Sequence, residues 1–129
     1  MSIRIVRLGT PRQRGEGVRI GTVRRPPRGV PKSEFASGNW YDVWFPNLAP
    51  TVATMNAGRS AHTEAQWTAF VRRYKAEMSS AQAKHDLDLL ATLSHTSNFS
   101  VGCYCENEAR CHRSILKQLL VERGAAVED

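Results

Sequence analysis

The sequence has few cysteines and no long apolar run. Its three cysteines, an odd number, all lie between positions 103 and 111. Small secreted domains stapled by disulfides carry paired cysteines along the chain, so we expect reduced thiols here. No apolar stretch approaches the roughly 20 residues that span a bilayer, and the first residues form no apolar leader segment. We therefore expect a cytoplasmic protein with no membrane partner.

Several familiar catalytic motifs are also missing. The chain has no glycine-rich phosphate loop and no Gly-x-Ser-x-Gly nucleophile elbow. The Cys-x5-Arg signature of protein tyrosine phosphatases is not met either, because Cys111 stands where Cys105 would need an arginine. These absences argue against a P-loop enzyme, an α/β-hydrolase and a protein tyrosine phosphatase.

Acidic residues are scarce in the first quarter of the chain, although the whole has a formal net charge of only +6. Up to position 28, Glu16 is the single acid among eight arginines: Arg4, Arg7, Arg12, Arg14, Arg19, Arg24, Arg25 and Arg28. The planar fork of arginine matches phosphate oxygens, which favours a phosphate-bearing partner. The alternative is a solvated basic surface with no specific ligand.

Turn signals divide the first half into short strands and loops. Two β-branched runs, 3–8 and 18–23, predict strands. The region from about 9 to 32 is basic and rich in loops, and Pro26-Pro27 prevents the second strand or a helix from continuing. The aromatic segment 39–50 is either a strand or a packed irregular stretch, with Trp44 and Phe45 expected in the core.

The second half shows helical and then mixed periodicity. A capping box of Thr63 and Gln66 starts a helix with an apolar stripe, and a second helix follows at about 80–93. A strand at 99–103 precedes a last helix that ends near Gly124. These elements predict an α/β fold: one compact domain over 1–129 with a small, mainly parallel sheet flanked by helices, a C-terminal strand-loop-helix and a flexible tail at about 125–129.

The densest chemistry lies where the last strand meets the last helix. Ligands collect at the carboxyl ends of parallel strands, where helix N-termini present free N–H groups to anions. This junction holds Cys103, Cys105, Arg110, Cys111, His112, Arg113 and Ser114. Positive charge next to a thiol lowers its pKa, which a nucleophilic or redox cysteine requires. Cys105, Cys111 and His112 are therefore the candidate reactive groups. Arg113 and Ser114 are candidate ligand-binding residues.

Two other interpretations of this junction stay open. The pattern Cys-x-Cys-x5-Cys-His contains the ligand types of a structural zinc module, but its spacing departs from paired Cys-x2-Cys knuckles, and we assign no metal ligands. In the other interpretation the cysteines are small core residues, and the neighbouring arginine and histidine only cap the helix.

Four ordered motifs resemble the domain-of-unknown-function family 488, and more closely its YeaO-like branch. They cover almost the whole chain and comprise Arg25-Pro26-Pro27-Arg28-Gly29-Val30, Trp44 to Thr51, the helix with Trp67, Phe70, Tyr74, Glu77 and Met78, and Cys105 with Cys111-His112-Arg113. The chain departs from the branch at Pro26, where relatives have an aromatic residue, and at Pro46, where lysine is frequent. The resemblance implies a compact α/β fold in a bacterial or archaeal cytoplasmic protein. It also implies that the arginine-proline loop and the Cys-His-Arg turn converge on one cleft, and it supplies no reaction.

The resulting expectation is a domain that binds or acts on a phosphorylated or nucleotide-like anionic small molecule. Arg25, Arg28 and Arg113 would hold the anion beside Cys105, Cys111 and His112. The sequence specifies no cofactor. The alternative partner is nucleic acid, bound through the arginine-rich first quarter without base specificity.

Overall fold

Four parallel strands form the sheet, and the last strand in the chain lies inside it. The computed structural model describes residues 1–128. The sheet order is β1-β4-β2-β3, with β1 at Ile3–Arg7, β2 at Val18–Gly21, β3 at Val43–Trp44 and β4 at Phe99–Cys103. All three pairings are parallel. Every strand therefore ends at the same edge of the sheet, and the predicted α/β class is confirmed.

Four α-helices complete the architecture: α1 at Val52–Arg59, α2 at Glu64–Glu77, α3 at Ala81–Leu93 and α4 at His112–Glu122. The predicted capping box at Thr63 and Gln66 starts α2, and Ser80 caps α3. The sequence did not predict α1, which is only eight residues long. None of the helices described over 1–128 combines the length and apolarity that crossing a bilayer demands.

The main core lies between the helices and one face of the sheet. Phe99 and Val101 of β4 point to this face, where side chains of α2, α3 and α4 cover them. The fully buried Tyr74 of α2 donates its hydroxyl to the Leu48 carbonyl at 2.7 Å. This bond ties the core to the segment that leads into α1.

The opposite face of the sheet is closed by loops around a buried ion pair. Arg19 of β2 donates to the Glu16 carboxylate at 2.7 Å, and both side chains are 1% exposed. Arg19 also donates to the carbonyls of Thr10 and Asn39, and Ser100 of β4 donates to Glu16. Arg19 therefore anchors the loops that cover this face and does not belong to a basic surface.

Two segments lie differently from what their sequence predicts. Trp44, expected in the core, is 44% exposed because β3 is a two-residue edge strand, whereas Phe45 packs partly against the core. The expected flexible tail is hydrogen bonded along β1: the Ile3 amide donates to Ala126, and the Glu128 amide donates to Ile3, both at 2.8 Å. Asp129 lies outside the described residues.

The buried ion pair predicts a specific loss of stability. Burial alone would raise the pKa of Glu16, but hydrogen bonds from Arg19, Ser100 and the Gln13 amide outweigh it and lower the pKa to about 2 from its ordinary 4.5. The ionised carboxylate thus stabilises the fold above pH 4.5, and this contribution is lost as the pH falls towards 2. Glu16→Gln should lower the free energy of unfolding at pH 7 by about 3 kcal/mol, because it leaves Arg19 buried without a counter-charge.

Urea unfolding of the two proteins at a series of pH values checks this. The control Asp88→Asn removes the more exposed ion pair with Arg123 and should cost less than about 1 kcal/mol. Equal losses of unfolding free energy in the two variants would show that the buried Glu16–Arg19 pair stabilises the fold no more than an exposed pair does.

Candidate functional site

A cleft opens at the edge of the sheet where all strands end, between the segments that follow β1, β2 and β4. It consists of an inner cavity of about 140 Å³ and an adjoining outer cavity of about 650 Å³. Both are lined by Arg25, Arg59 and Tyr104. The cleft therefore lies where the parallel sheet predicts a ligand site.

The inner cavity has mainly apolar walls and a floor of sulfur and imidazole groups. Met55, Trp67 and Phe70 line its walls, and the Trp67 and Phe70 rings stack at 4.8 Å between centroids. Its floor is formed by the thiol cluster, which we define as Cys103, Cys105, Cys111 and His112. A planar or apolar group in this cavity would lie directly against the cluster.

The outer cavity is more polar than the inner one, and exposed arginines line it. Arg25 and Arg28 come from the loop after β2, and Arg59 is the last residue of α1. All three are exposed, and within residues 1–128 none of their guanidinium groups has a hydrogen bond or an ion pair. Three guanidiniums thus line the cleft with their donors unused.

Other arginines near the cleft are engaged in holding the structure. Arg24 donates to the carbonyls of Pro46, Ala49 and Pro50. Arg110 forms an ion pair with Glu64 and lies over the Trp67 ring, 5.2 Å from its centroid. These two residues line the inner cavity, but their guanidiniums are already bonded to groups of the chain itself.

The thiol cluster is tightly grouped. The Sγ atoms of Cys103 and Cys105 are 3.7 Å apart, and Cys111 Sγ is 3.9 Å from His112 Nδ1. The imidazole is buried, and its Nε2 lies 2.7 Å from the Thr22 carbonyl, to which it must donate because a carbonyl only accepts. In the neutral ring the Nδ1 lone pair is therefore free and lies on the side of Cys111.

The three thiols differ in acidity chiefly because of the hydrogen bonds among them. Hydrogen bonds from Cys103 and Cys111 lower the pKa of Cys105, and the positive charge of Arg113 acts in the same direction. The contact with Cys105 raises the pKa of Cys103 to about 11, and contacts with both other thiols raise the pKa of Cys111. Burial lowers the pKa of His112 to about 4. Negative charge in the cluster therefore settles on Cys105.

Arg113 and Ser114 lie elsewhere than the sequence predicts. Arg113 is 4% exposed, lines neither cavity and donates to the backbone carbonyls of Cys105 and Glu106. Ser114 donates to the Cys111 carbonyl, one turn back along its own helix. Arg113 therefore holds the loop between β4 and α4 in place, and Ser114 hydrogen bonds within the first turn of α4. Of the first helical turn, Cys111 and His112 border the inner cavity, whereas Arg113 and Ser114 line neither cavity.

The remaining predicted residues do come together. Cys105, Cys111, His112 and Arg25 line the inner cavity, and Arg28 lines the outer one. Sequence reasoning missed Arg59, because α1 was not predicted. It also assigned Trp67 only to a core-facing stripe, although one side of that stripe borders the inner cavity. The unpaired arginine at the end of α1 carried no sequence signal of its own.

Comparison with known proteins identifies the family. The family model described as "Active DUF488-N3 subclade" matches residues 3–124. The chain belongs to the DUF488 family. No curated protein and no solved structure matches it significantly. The DUF488 motifs at Arg25–Val30 and at Cys111-His112-Arg113 thus border one cleft in this member, although Arg113 itself faces away from the cavities.

The cluster geometry predicts the order in which the thiols of the reduced, chelator-treated protein react with iodoacetamide. At pH 7 Cys105 should be alkylated at least about tenfold faster than Cys103 or Cys111, because it is exposed and its pKa is lowered. Peptide mass spectrometry over time gives the three rates. In denaturant the rates should become similar, and equal rates in the folded protein would contradict the described burial.

Proposed function

We propose that this DUF488 domain binds and acts on a phosphorylated, nucleotide-like small molecule in the cleft. The phosphate would lie at Arg25, Arg28 and Arg59, and the less polar part would occupy the inner cavity. The observation that carries this proposal is the convergence of three unpartnered guanidiniums on a cavity that adjoins an apolar one.

The charge distribution supports a phosphate at the outer cavity. Guanidiniums form short, charge-assisted hydrogen bonds with phosphate oxygens, often in pairs. Arg25 and Arg59 border both cavities, so an anion held between them would lie at the mouth of the inner one. A volume of about 650 Å³ is in the range of small-molecule pockets.

The inner cavity supports a flat, weakly polar group attached to that phosphate. Its walls combine the stacked Trp67 and Phe70 rings with Met55, which suits a planar ring better than a second charged group. The candidate reactive groups Cys105, Cys111 and His112 border the same space. A ligand bound in this way would present its non-phosphate part to them, and the description of the matching subclade as active agrees with a reaction there.

Two finer assignments accompany this proposal. The YeaO-like branch is supported by the arginine-proline loop and the helix motif from Trp67 to Met78. A cytoplasmic location is supported by the three free cysteines, since thiols this close together persist best in a reducing compartment.

Nucleic acid is the weaker candidate partner because most of the early arginines are already engaged. Arg4, Arg7, Arg12, Arg19 and Arg24 each donate to a partner within the chain. Of the three that remain, Arg25 and Arg28 line the cleft, and Arg14 lies outside both cavities. Little of the arginine-rich quarter is left to form a stripe along a phosphate backbone.

Binding of adenosine 5′-monophosphate, adenosine and inorganic phosphate, measured by calorimetry, tests the small-molecule proposal. The nucleotide should bind more tightly than either fragment. Arg28→Gln or Arg59→Gln should weaken its binding at least about tenfold, because a charge-assisted hydrogen bond contributes about 1.5–3 kcal/mol.

The matched control is Arg14→Gln, which removes the same charge from the same quarter of the chain outside the cleft. It should bind the nucleotide like the unmodified protein. If Arg14→Gln weakens binding as much as Arg28→Gln, the effect is general charge and the cleft is not the site. If no phosphorylated probe binds, the proposal fails.

An electrophoretic shift assay with duplex DNA and with single-stranded RNA separates the two partner classes. We expect no shift at 150 mM salt and at most weak binding at low salt, because few guanidiniums are available to release counter-ions. Tight binding that falls steeply as salt rises, and that Arg14→Gln and Arg28→Gln weaken alike, would favour nucleic acid instead.

A further inference from the structure

The thiol cluster has a second property that does not depend on an anion in the cleft. We propose that Cys103, Cys105, Cys111 and His112 form a binding site for one zinc ion, held by three thiolates and the Nδ1 of the imidazole. The cysteine spacing in the sequence is unusual for a zinc site, so no metal ligands could be assigned from it. In the fold, however, three of these residues lie close together in space.

Three of the four ligand atoms are already grouped closely enough for a zinc site, and the fourth lies beside one of them. Zinc–sulfur bonds of about 2.3 Å at tetrahedral angles place two ligand sulfurs about 3.8 Å apart. Cys103 and Cys105 are separated by 3.7 Å between their Sγ atoms. The ligand atoms of Cys103, Cys111 and His112 all lie within 4.8 Å of one another. Cys103, Cys111 and His112 therefore already form a three-ligand group, and the exposed Cys105, next to Cys103, would complete the site by turning its side chain towards the ion.

The imidazole is already oriented as a metal ligand. Histidine ligands in proteins commonly donate their other ring N–H to a carbonyl or a carboxylate, which fixes the ring and its tautomer. His112 does this through Nε2 and the Thr22 carbonyl at 2.7 Å, so Nδ1 keeps its lone pair on the side of Cys111. The residue after β2 thus supplies the outer partner of a ligand that begins α4.

The backbone holds the four ligands in place from both sides. Cys103 ends β4, Cys111 caps α4, and His112 is the first residue of that helix. Arg113 ties down the loop between them through the carbonyls of Cys105 and Glu106. Within the described chain, the buried Nε of Arg113 has no hydrogen-bond partner, and the guanidinium donates only to neutral carbonyls. Its positive charge is therefore not neutralised by a carboxylate.

The charges also balance. Binding one Zn²⁺ would release a proton to solvent from each cysteine still protonated, giving three thiolates, one neutral imidazole and a net charge of −1 on the centre. The buried Arg113 next to the cluster offsets that charge. Cys105 is exposed whereas Cys103 and Cys111 are buried, so the ion would enter from the inner cavity.

Metal analysis of the protein purified under reducing conditions is the first test. We expect about one zinc per chain by plasma mass spectrometry, retained on dialysis. Replacement by Co²⁺ should give the intense visible bands of a tetrahedral ion and sulfur-to-cobalt charge-transfer absorption in the near ultraviolet. Apo-protein that takes up no metal and shows no such bands with micromolar Co²⁺ would overturn the proposal.

Variants separate this cluster from an adventitious ion. Cys105→Ser, at the exposed corner, should fold normally, weaken zinc binding at least tenfold and lose part of the charge-transfer absorption. His62→Ala, an exposed histidine outside both cavities, should change neither. Cys111→Ser should bind no zinc, but it is buried, so its circular dichroism must be compared with that of the wild type. Zinc retained equally by Cys105→Ser and the wild type would indicate an adventitious ion only.

Two further outcomes keep the metal site distinct from the anion site. A mass two daltons lower without metal, restored by a reductant, would indicate a Cys103–Cys105 disulfide in place of zinc. Nucleotide binding by the chelated and the zinc-loaded protein shows whether the arginine cavity works independently. Arg28→Gln should weaken nucleotide binding but leave the metal content unchanged, because Arg28 lines only the outer cavity and lies outside the cluster. Loss of zinc in Arg28→Gln would place the ion in the arginine cavity and overturn the metal site.

Discussion

The parallel alignment of all four strands is the constraint on which the site depends. Because β1, β2 and β4 run in the same direction side by side, the segments that follow them leave the sheet at one edge. Residues from positions 9, 25 and 105 are brought to one cleft although they are far apart in the chain. If β2 and β4 were antiparallel, the arginine loop that follows β2 and the thiol cluster that follows β4 would lie at opposite ends of the sheet.

Buried polar contacts hold the loops around the cleft in fixed positions. The second face of the sheet is closed by loops around the Arg19–Glu16 pair, which also receives Ser100 from the central strand. At the carboxyl edge, Arg113 and His112 donate to backbone carbonyls of the segments beside them. Arg19, His112 and Arg113 each satisfy backbone carbonyls that irregular segments leave unpaired. These polar residues thus fix the positions of the loops around the cleft, as the apolar core fixes the helices on the sheet.

The arginines of the first quarter include both residues that anchor loops and residues that line the cleft. Charge counting treats the eight arginines of the first quarter as equivalent, but the fold divides them by burial. Arg19 and Arg24 hold loops, whereas Arg25, directly next in sequence to Arg24, points into the cleft with no partner in the described chain. Arg24 and Arg25 both lie beyond the end of β2 and line the inner cavity, but only Arg24 reaches the carbonyls of Pro46, Ala49 and Pro50.

Local signals predicted what local physics determines. The capping box at Thr63, the stripe of α2 and the strand-loop-helix at 99–122 required only spacing and capping chemistry, and the structure has them. Tertiary contacts determined the rest. Helix α1 has a local cap at Thr51 but is only eight residues long, and Glu77 of α2 supports its start through bonds that form only in the fold. Arg113 turned inward because the loop before α4 offered it two carbonyls, and the sequence pattern alone could not distinguish this from a ligand contact.

The unpartnered guanidiniums and the thiol cluster face one shared cleft, which we propose binds a phosphorylated ligand. A crystal structure of the protein with adenosine 5′-monophosphate would show where that ligand lies. We expect phosphate oxygens within hydrogen-bonding distance of Arg25, Arg28 or Arg59, with the base in the inner cavity against Trp67 and above Cys105. A nucleotide bound on another surface, or an occupied cleft whose arginines point into solvent, would contradict the proposal.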